Sequence, residues 1–154
     1  MDFTSQYELI RSSRKVLLDY CDTIAAADFI TEKSNFGSGS IRNLLVHNAN
    51  TYEFWIGKQA LRKDLVFTTY QSVANIAAAR TLFASVDSLV AEFGIRYSGN
   101  HLQPIAVAIR EKAFDSTPLE LFTHAITHEF HHKGQILSLS RHLGYVPIDT
   151  DVIR

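Results

Sequence analysis

Residues 117–144 read TPLELFTHAITHEFHHKGQILSLSRHLG, and their spacing decides the fold. Thr117 is placed to cap a helix N-terminus, Pro118 suits the first helical position, and Glu120 stands three residues after the cap. Beyond them Phe122, Ala125, Glu129, His132, Ile136, Leu139 and Leu143 recur at steps of three and four, the period of one helix face. Gly144 supplies a stop and Pro147 follows it. This is the pattern of a long helix that turns one stripe toward a core.

The same period runs upstream. From Asp2 to Ala27, Phe3, Tyr7, Ile10, Arg14, Leu17, Cys21 and Ile24 form a seam with one charged member, Arg14. The stretch Phe36-Gly37-Ser38-Gly39-Ser40 breaks the pattern, and Ser40 is a candidate N-cap for a second helix from Ile41 to Leu61. Its stripe is Ile41, Leu45, Asn48, Tyr52 and Trp55, with Leu44, His47, Thr51 and Phe54 beside it. A third helix is expected from Val73 to Tyr97, carried by Ala79, Phe83, Val86, Val90 and Phe93. Residues 101–117 hold Pro104 and β-branched residues and read as a loop or short hairpin. The expectation is a single all-α domain over residues 1–154, a four-helix bundle with an irregular or hairpin segment between the third and fourth helices.

Composition narrows the function. Fifteen Lys+Arg against 16 Asp+Glu give a net charge of −1, which argues against a protein living on phosphate contacts and so against nucleic acid as partner. One cysteine, Cys21, supports neither an internal disulfide nor a thiolate zinc cluster. No stretch approaches the roughly 18 consecutive apolar residues of a membrane span, and no apolar leader follows Met1-Asp2-Phe3-Thr4-Ser5, so a cytoplasmic protein is expected.

Histidine is in excess: five of the seven lie between positions 124 and 142. His128 and His132 are four apart, which places them on one helix face one turn along, able to converge on one metal ion. Both lean toward the core side, where an imidazole needs a metal or a hydrogen-bond partner. A third ligand is required for a competent site. His47, on the inner flank of the second helix, is the leading candidate, and His124 competes because it stands four residues before His128. His131 steps toward solvent.

Glu129 completes a His-Glu-x-x-His pattern, the metallopeptidase signature in which the glutamate activates water. The extended signature fails: Gln135 and Ser138 stand where glycine and a third histidine belong, and no glutamate follows Glu129. Glu129 is therefore either a general base, second-layer support for a metal, or a buried partner for Arg14. Arg14 itself either meets an anionic substrate group or pairs internally.

Three stretches resemble the DinB/YfiT-like family of small four-helix metalloproteins, some labelled damage-inducible. They are Ile41-Arg42-Asn43-Leu44-Leu45-Val46-His47, His128-Glu129-Phe130-His131-His132-Lys133-Gly134-Gln135 and Leu143-Gly144-Tyr145-Val146-Pro147. Lys133 stands where the family often has arginine. The resemblance implies an up-down-down-up bundle, a homodimer and a metal site on His47, His128 and His132, favouring His47 over His124. It also implies a divalent ion such as zinc or nickel and an activity of the thiol S-transferase or hydrolase type on a small molecule, with a low-molecular-weight thiol as cosubstrate. The competing expectation is a non-catalytic metal-binding or stress-related interaction protein.

Overall fold

The computed structural model describes residues 2–33 and 39–154. These form five α-helices, a π-helical and a 3-10 segment, and one two-stranded hairpin. Helix α1 spans Phe3–Cys21, α2 Ala26–Ile30, α3 Ile41–Tyr52, α4 Ile76–Arg96 and α5 Pro118–His142, with strands β1 Ile105–Ile109 and β2 Lys112–Ser116 before α5. Helices α1 and α3 each pack against both α4 and α5.

The local signals act as their chemistry requires. Thr117 Oγ1 accepts from the Glu120 N–H while the Glu120 carboxylate accepts from the Thr117 N–H, a closed capping box ahead of α5. Ser40 Oγ accepts from Asn43 N–H at 3.1 Å at the start of α3. Residues 36–38 of the expected break lie outside the described residues. Gly39, at φ +91°, closes it with a backbone conformation open to glycine and strained for most other residues. Every seam residue of α4 named above is buried, and so is the α1 seam from Phe3 to Ile24. Phe3, Phe93 and Phe122 meet as an aromatic cluster, with centroids 4.9–5.0 Å from Phe3 to the other two. Burying a ring of this kind contributes about 1.5–3 kcal/mol.

Two elements differ from the sequence expectation. The first helix stops at Cys21 and restarts as α2: the Thr23 and Ile24 N–H groups donate to Tyr20 O and Cys21 O, i→i−3 bonds that tighten and end the turn, and Thr23 Oγ1 also donates to Tyr20 O. The second does not stay α-helical to Leu61: residues Glu53–Ala60 wind as a π-helix, with Leu61 N–H donating to Ile56 O at 2.9 Å. Gly57 permits a close approach here, since a Cβ on it would stand 2.5 Å from Leu65 Cδ1 in the returning chain. Of the loop or hairpin expected between the last two long helices, the structure has the hairpin: residues 105–116 pair from Ile105↔Ser116 to Ile109↔Lys112. Its two turn residues, Arg110 and Glu111, both have positive φ (45° and 69°), the signature of a turn that matches strand twist. The hairpin docks on the π-helical segment. Ala108 N–H donates to Gln59 Oε1 at 2.8 Å, Arg62 donates to Ala106 O, and Val107 is buried.

No helix among the described residues is long and apolar enough to cross a membrane.

Candidate metal centre

Helices α3 and α5 pack side by side and bring three imidazoles together. His47 comes from α3, His128 and His132 from successive turns of α5. One ring nitrogen from each lies within 4.8 Å of the other two, and among the described residues this is the one such group of His, Cys, Asp or Glu. His128 Nε2 and His47 Nε2 are 2.9 Å apart. The His132 ring stands edge-on to both others, with centroids at 4.7 Å to His47 and 4.4 Å to His128.

The fit to a metal rests on His132. Gln135, one turn along α5, presents its carbonyl Oε1 2.6 Å from His132 Nδ1. An amide carbonyl only accepts, so Nδ1 carries the proton and Nε2 presents its lone pair. That Nε2 is buried without a hydrogen-bond partner. An orphaned acceptor of this kind costs about 1–3 kcal/mol unless something fills the space. A cation beside two further imidazole nitrogens is the group that would satisfy it. The Nε2 atoms of His47 and His128 are 2.9 Å apart and all three ligand nitrogens lie within 4.8 Å of one another, so the rings could close on one ion with small side-chain shifts.

The electrostatics agree. Burial lowers the basicity of all three histidines. For His128 the neighbouring His132 and His47 rings add to burial, and its pKa falls to about 4. All three are therefore neutral at physiological pH, the state that ligates metal.

His124 lies outside this group. Its exposed ring stacks on His128 at 5.7 Å and meets the edge of Trp55 at 5.1 Å. His131 is exposed, 3.3 Å from Gln135 Nε2.

Glu129 points into a different network. Its carboxylate accepts from Arg14 Nε at 2.7 Å, Arg14 Nη2 at 2.8 Å and the Tyr52 hydroxyl at 2.6 Å. Arg14 also donates to Asp87 at 2.8 Å and to the Tyr7 hydroxyl, and its guanidinium lies over the Phe83 ring. Arg14 and Glu129 are each 3% exposed. Arg14 thus pairs internally, and the Glu129 carboxylate is committed to it.

Two residues of the family-like stretch His128–Gln135 have roles that the sequence did not specify. Gln135, on the His128/His132 face, orients His132. Lys133 is buried, donating to Ser13 Oγ at 2.5 Å and Thr150 O at 2.7 Å over the Phe130 ring, which fastens the C-terminal tail to α1. Only the tail's path reveals that partner.

No curated relative matches the chain. The sequence model of the DinB family matches residues 2–154, which include all three histidines and Gln135, and the chain belongs to the DinB family.

Proposed function

We propose that this protein is a divalent-metal-dependent enzyme of the thiol S-transferase or hydrolase type, acting on a small molecule. The observation that carries the reading is the orphaned, buried Nε2 of His132, on a ring grouped with the His47 and His128 imidazoles, in a member of this family. His47, His128 and His132 would hold the ion, and zinc and nickel both suit imidazole donors. A divalent ion bound by three neutral ligands would supply Lewis acidity at a remaining open position. The chain's own residues do the rest. Gln135 holds the His132 tautomer, burial keeps the imidazoles uncharged, and the Glu129–Arg14–Tyr52 network fixes the α5 turn that carries His128 and His132 against α1 and α3.

A low-molecular-weight thiol fits as cosubstrate, because the chain's own thiol, Cys21, is buried and its pKa is pushed up to about 12 by burial. The four long helices form the up-down-down-up bundle of the family, the protein is a cytoplasmic homodimer, and neither membrane nor nucleic acid is a partner. The ring of neighbours α1–α4–α3–α5 supports the bundle.

A second reading, a non-catalytic metal-binding protein with an interaction role, draws on the commitment of Glu129 to Arg14, which leaves no carboxylate in the histidine group. The same commitment disfavours a peptidase. A turnover screen pairing small thiols with electrophiles separates the readings. Thiol-dependent turnover that is lost in His132→Ala supports the enzyme. Stoichiometric metal with no turnover of any pair supports the second reading.

A further inference from the structure

Beside His47 lies a cavity of about 280 Å³. Its walls come from one face of α3 and the π-helical turn after it, His47, Thr51, Phe54 and Trp55, together with Asn50 and with Phe67 from the returning chain. Residues 62–69 place that last ring. Asn50 Nδ2 donates to Thr68 O at 3.0 Å, and the buried Glu53 carboxylate accepts from the Thr68 N–H. The strap is thus clamped to the helix at both polar atoms of one peptide residue. Leu65 rests on Gly57, and Lys58 Nζ sits 4.8 Å over the Phe67 ring. Phe54 stands edge-on to Trp55 at 4.9 Å and tilted to Phe67 at 6.3 Å.

The walls therefore carry three aromatic side chains, no carboxylate, ammonium or guanidinium, and one member of the histidine group. Pockets that take small molecules are lined in this way, with apolar and aromatic walls and a few polar groups at one end. The volume is at the small end of such sites, room for one ring and a short substituent. The π-helical winding has a role in this: it is the segment in which Trp55 and Gly57 are set, and such segments recur at functional sites.

We propose that this pocket is the substrate-binding subsite of the metal centre and that it selects a small uncharged aromatic group, with the reacting heteroatom turned toward the histidines. The choice of ligand class rests on the pocket. The orientation rests on the metal reading proposed above.

Trp55 is the sole tryptophan and stands in the wall, so its fluorescence reports occupancy directly. Three probes separate the contributions: ethylbenzene (a ring without a ligand atom), ethanethiol (a ligand atom without a ring) and benzyl mercaptan (both). Ethylbenzene should change Trp55 emission saturably in metal-free and metal-loaded protein alike. Phe67→Ala should weaken this by about tenfold, from loss of one aromatic contact. Phe114→Ala, an exposed ring on β2, should leave it unchanged. In metal-loaded protein benzyl mercaptan should bind more tightly than either fragment. If ethylbenzene binds as expected but metal adds nothing to benzyl mercaptan, the subsite's ligand class stands and the metal reading fails. If ethylbenzene leaves the emission unchanged and benzyl mercaptan binds no better than ethanethiol, the subsite is overturned while the metal reading survives. Emission that tracks protein concentration and ignores all three probes would also overturn it, assigning the face to a second copy of the chain.

Discussion

Gln135 Oε1 lies 2.6 Å from His132 Nδ1, three residues away on the same helix, and leaves His132 Nε2 as a buried atom with no partner of its own. This one contact converts a packed histidine into a directed lone pair. Supporting hydrogen bonds of this type fix ring orientation and raise ligand basicity. Gln135→Leu should therefore lower metal affinity by about 10–100-fold while leaving the fold's helical signal intact. Competitive chelator titration measures it. Unchanged affinity would reduce Gln135 to packing.

The assignment of the third ligand is open to a direct comparison. His47→Ala should lose stoichiometric binding or weaken it severely, whereas His124→Ala should retain it, since His124 only stacks on the outside of His128. The opposite result would move the site outward along α5.

Glu129 and Arg14 are expected to act on stability. Removing one member of a buried ion pair leaves the other uncompensated and costs about 3–5 kcal/mol. Arg14→Ala should thus show a large loss in denaturant midpoint, and Glu129→Gln a smaller one, because an amide oxygen in the Oε2 position still accepts from Tyr52 and Arg14 Nη2, and Asp87 still pairs with Arg14. A Glu129→Gln protein with wild-type stability but abolished turnover would restore Glu129 as a general base.

The histidine group should make the metal-free protein acid-sensitive in a defined window. His128 titrates at about 4 in the fold against an ordinary value of 6.5. Between these values the unfolded chain binds a proton that the folded chain does not, so stability falls as pH drops from 6.5 toward 4 and this contribution levels off below. Urea denaturation in the presence of chelator, compared with His128→Asn, measures the difference: the variant should lose part of that slope. Equal slopes would remove His128 as its source.

Helical content and the core were legible where a seam of three and four spacing ran without interruption. The five apolar α4 positions and the α5 cap show this, because local period and capping depend only on neighbours in sequence. The His47, His128 and His132 grouping was legible through spacing for the pair and through family resemblance for the third. The π-helical turn was not legible. Its sequence, Glu53–Ala60, has ordinary helical composition, and the winding accompanies contacts from distant segments: Leu65 against Gly57 and the hairpin against Gln59. The aromatic pocket shares that origin, since Phe67 reaches it only because Asn50 and Glu53 clamp Thr68. Arg14 read more readily as paired internally or reaching the rim than as a substrate contact, and the packing of α1 against α5 gives the internal pair.

The most direct test is elemental analysis of the untagged protein, before and after chelation and resupply of zinc or nickel, in parallel with the triple variant His47→Ala/His128→Ala/His132→Ala. One divalent ion per chain, removed by chelator, restored on resupply and absent from the variant, is the expected result. A wild-type protein that holds no stoichiometric ion and takes none up on resupply would contradict the metal centre.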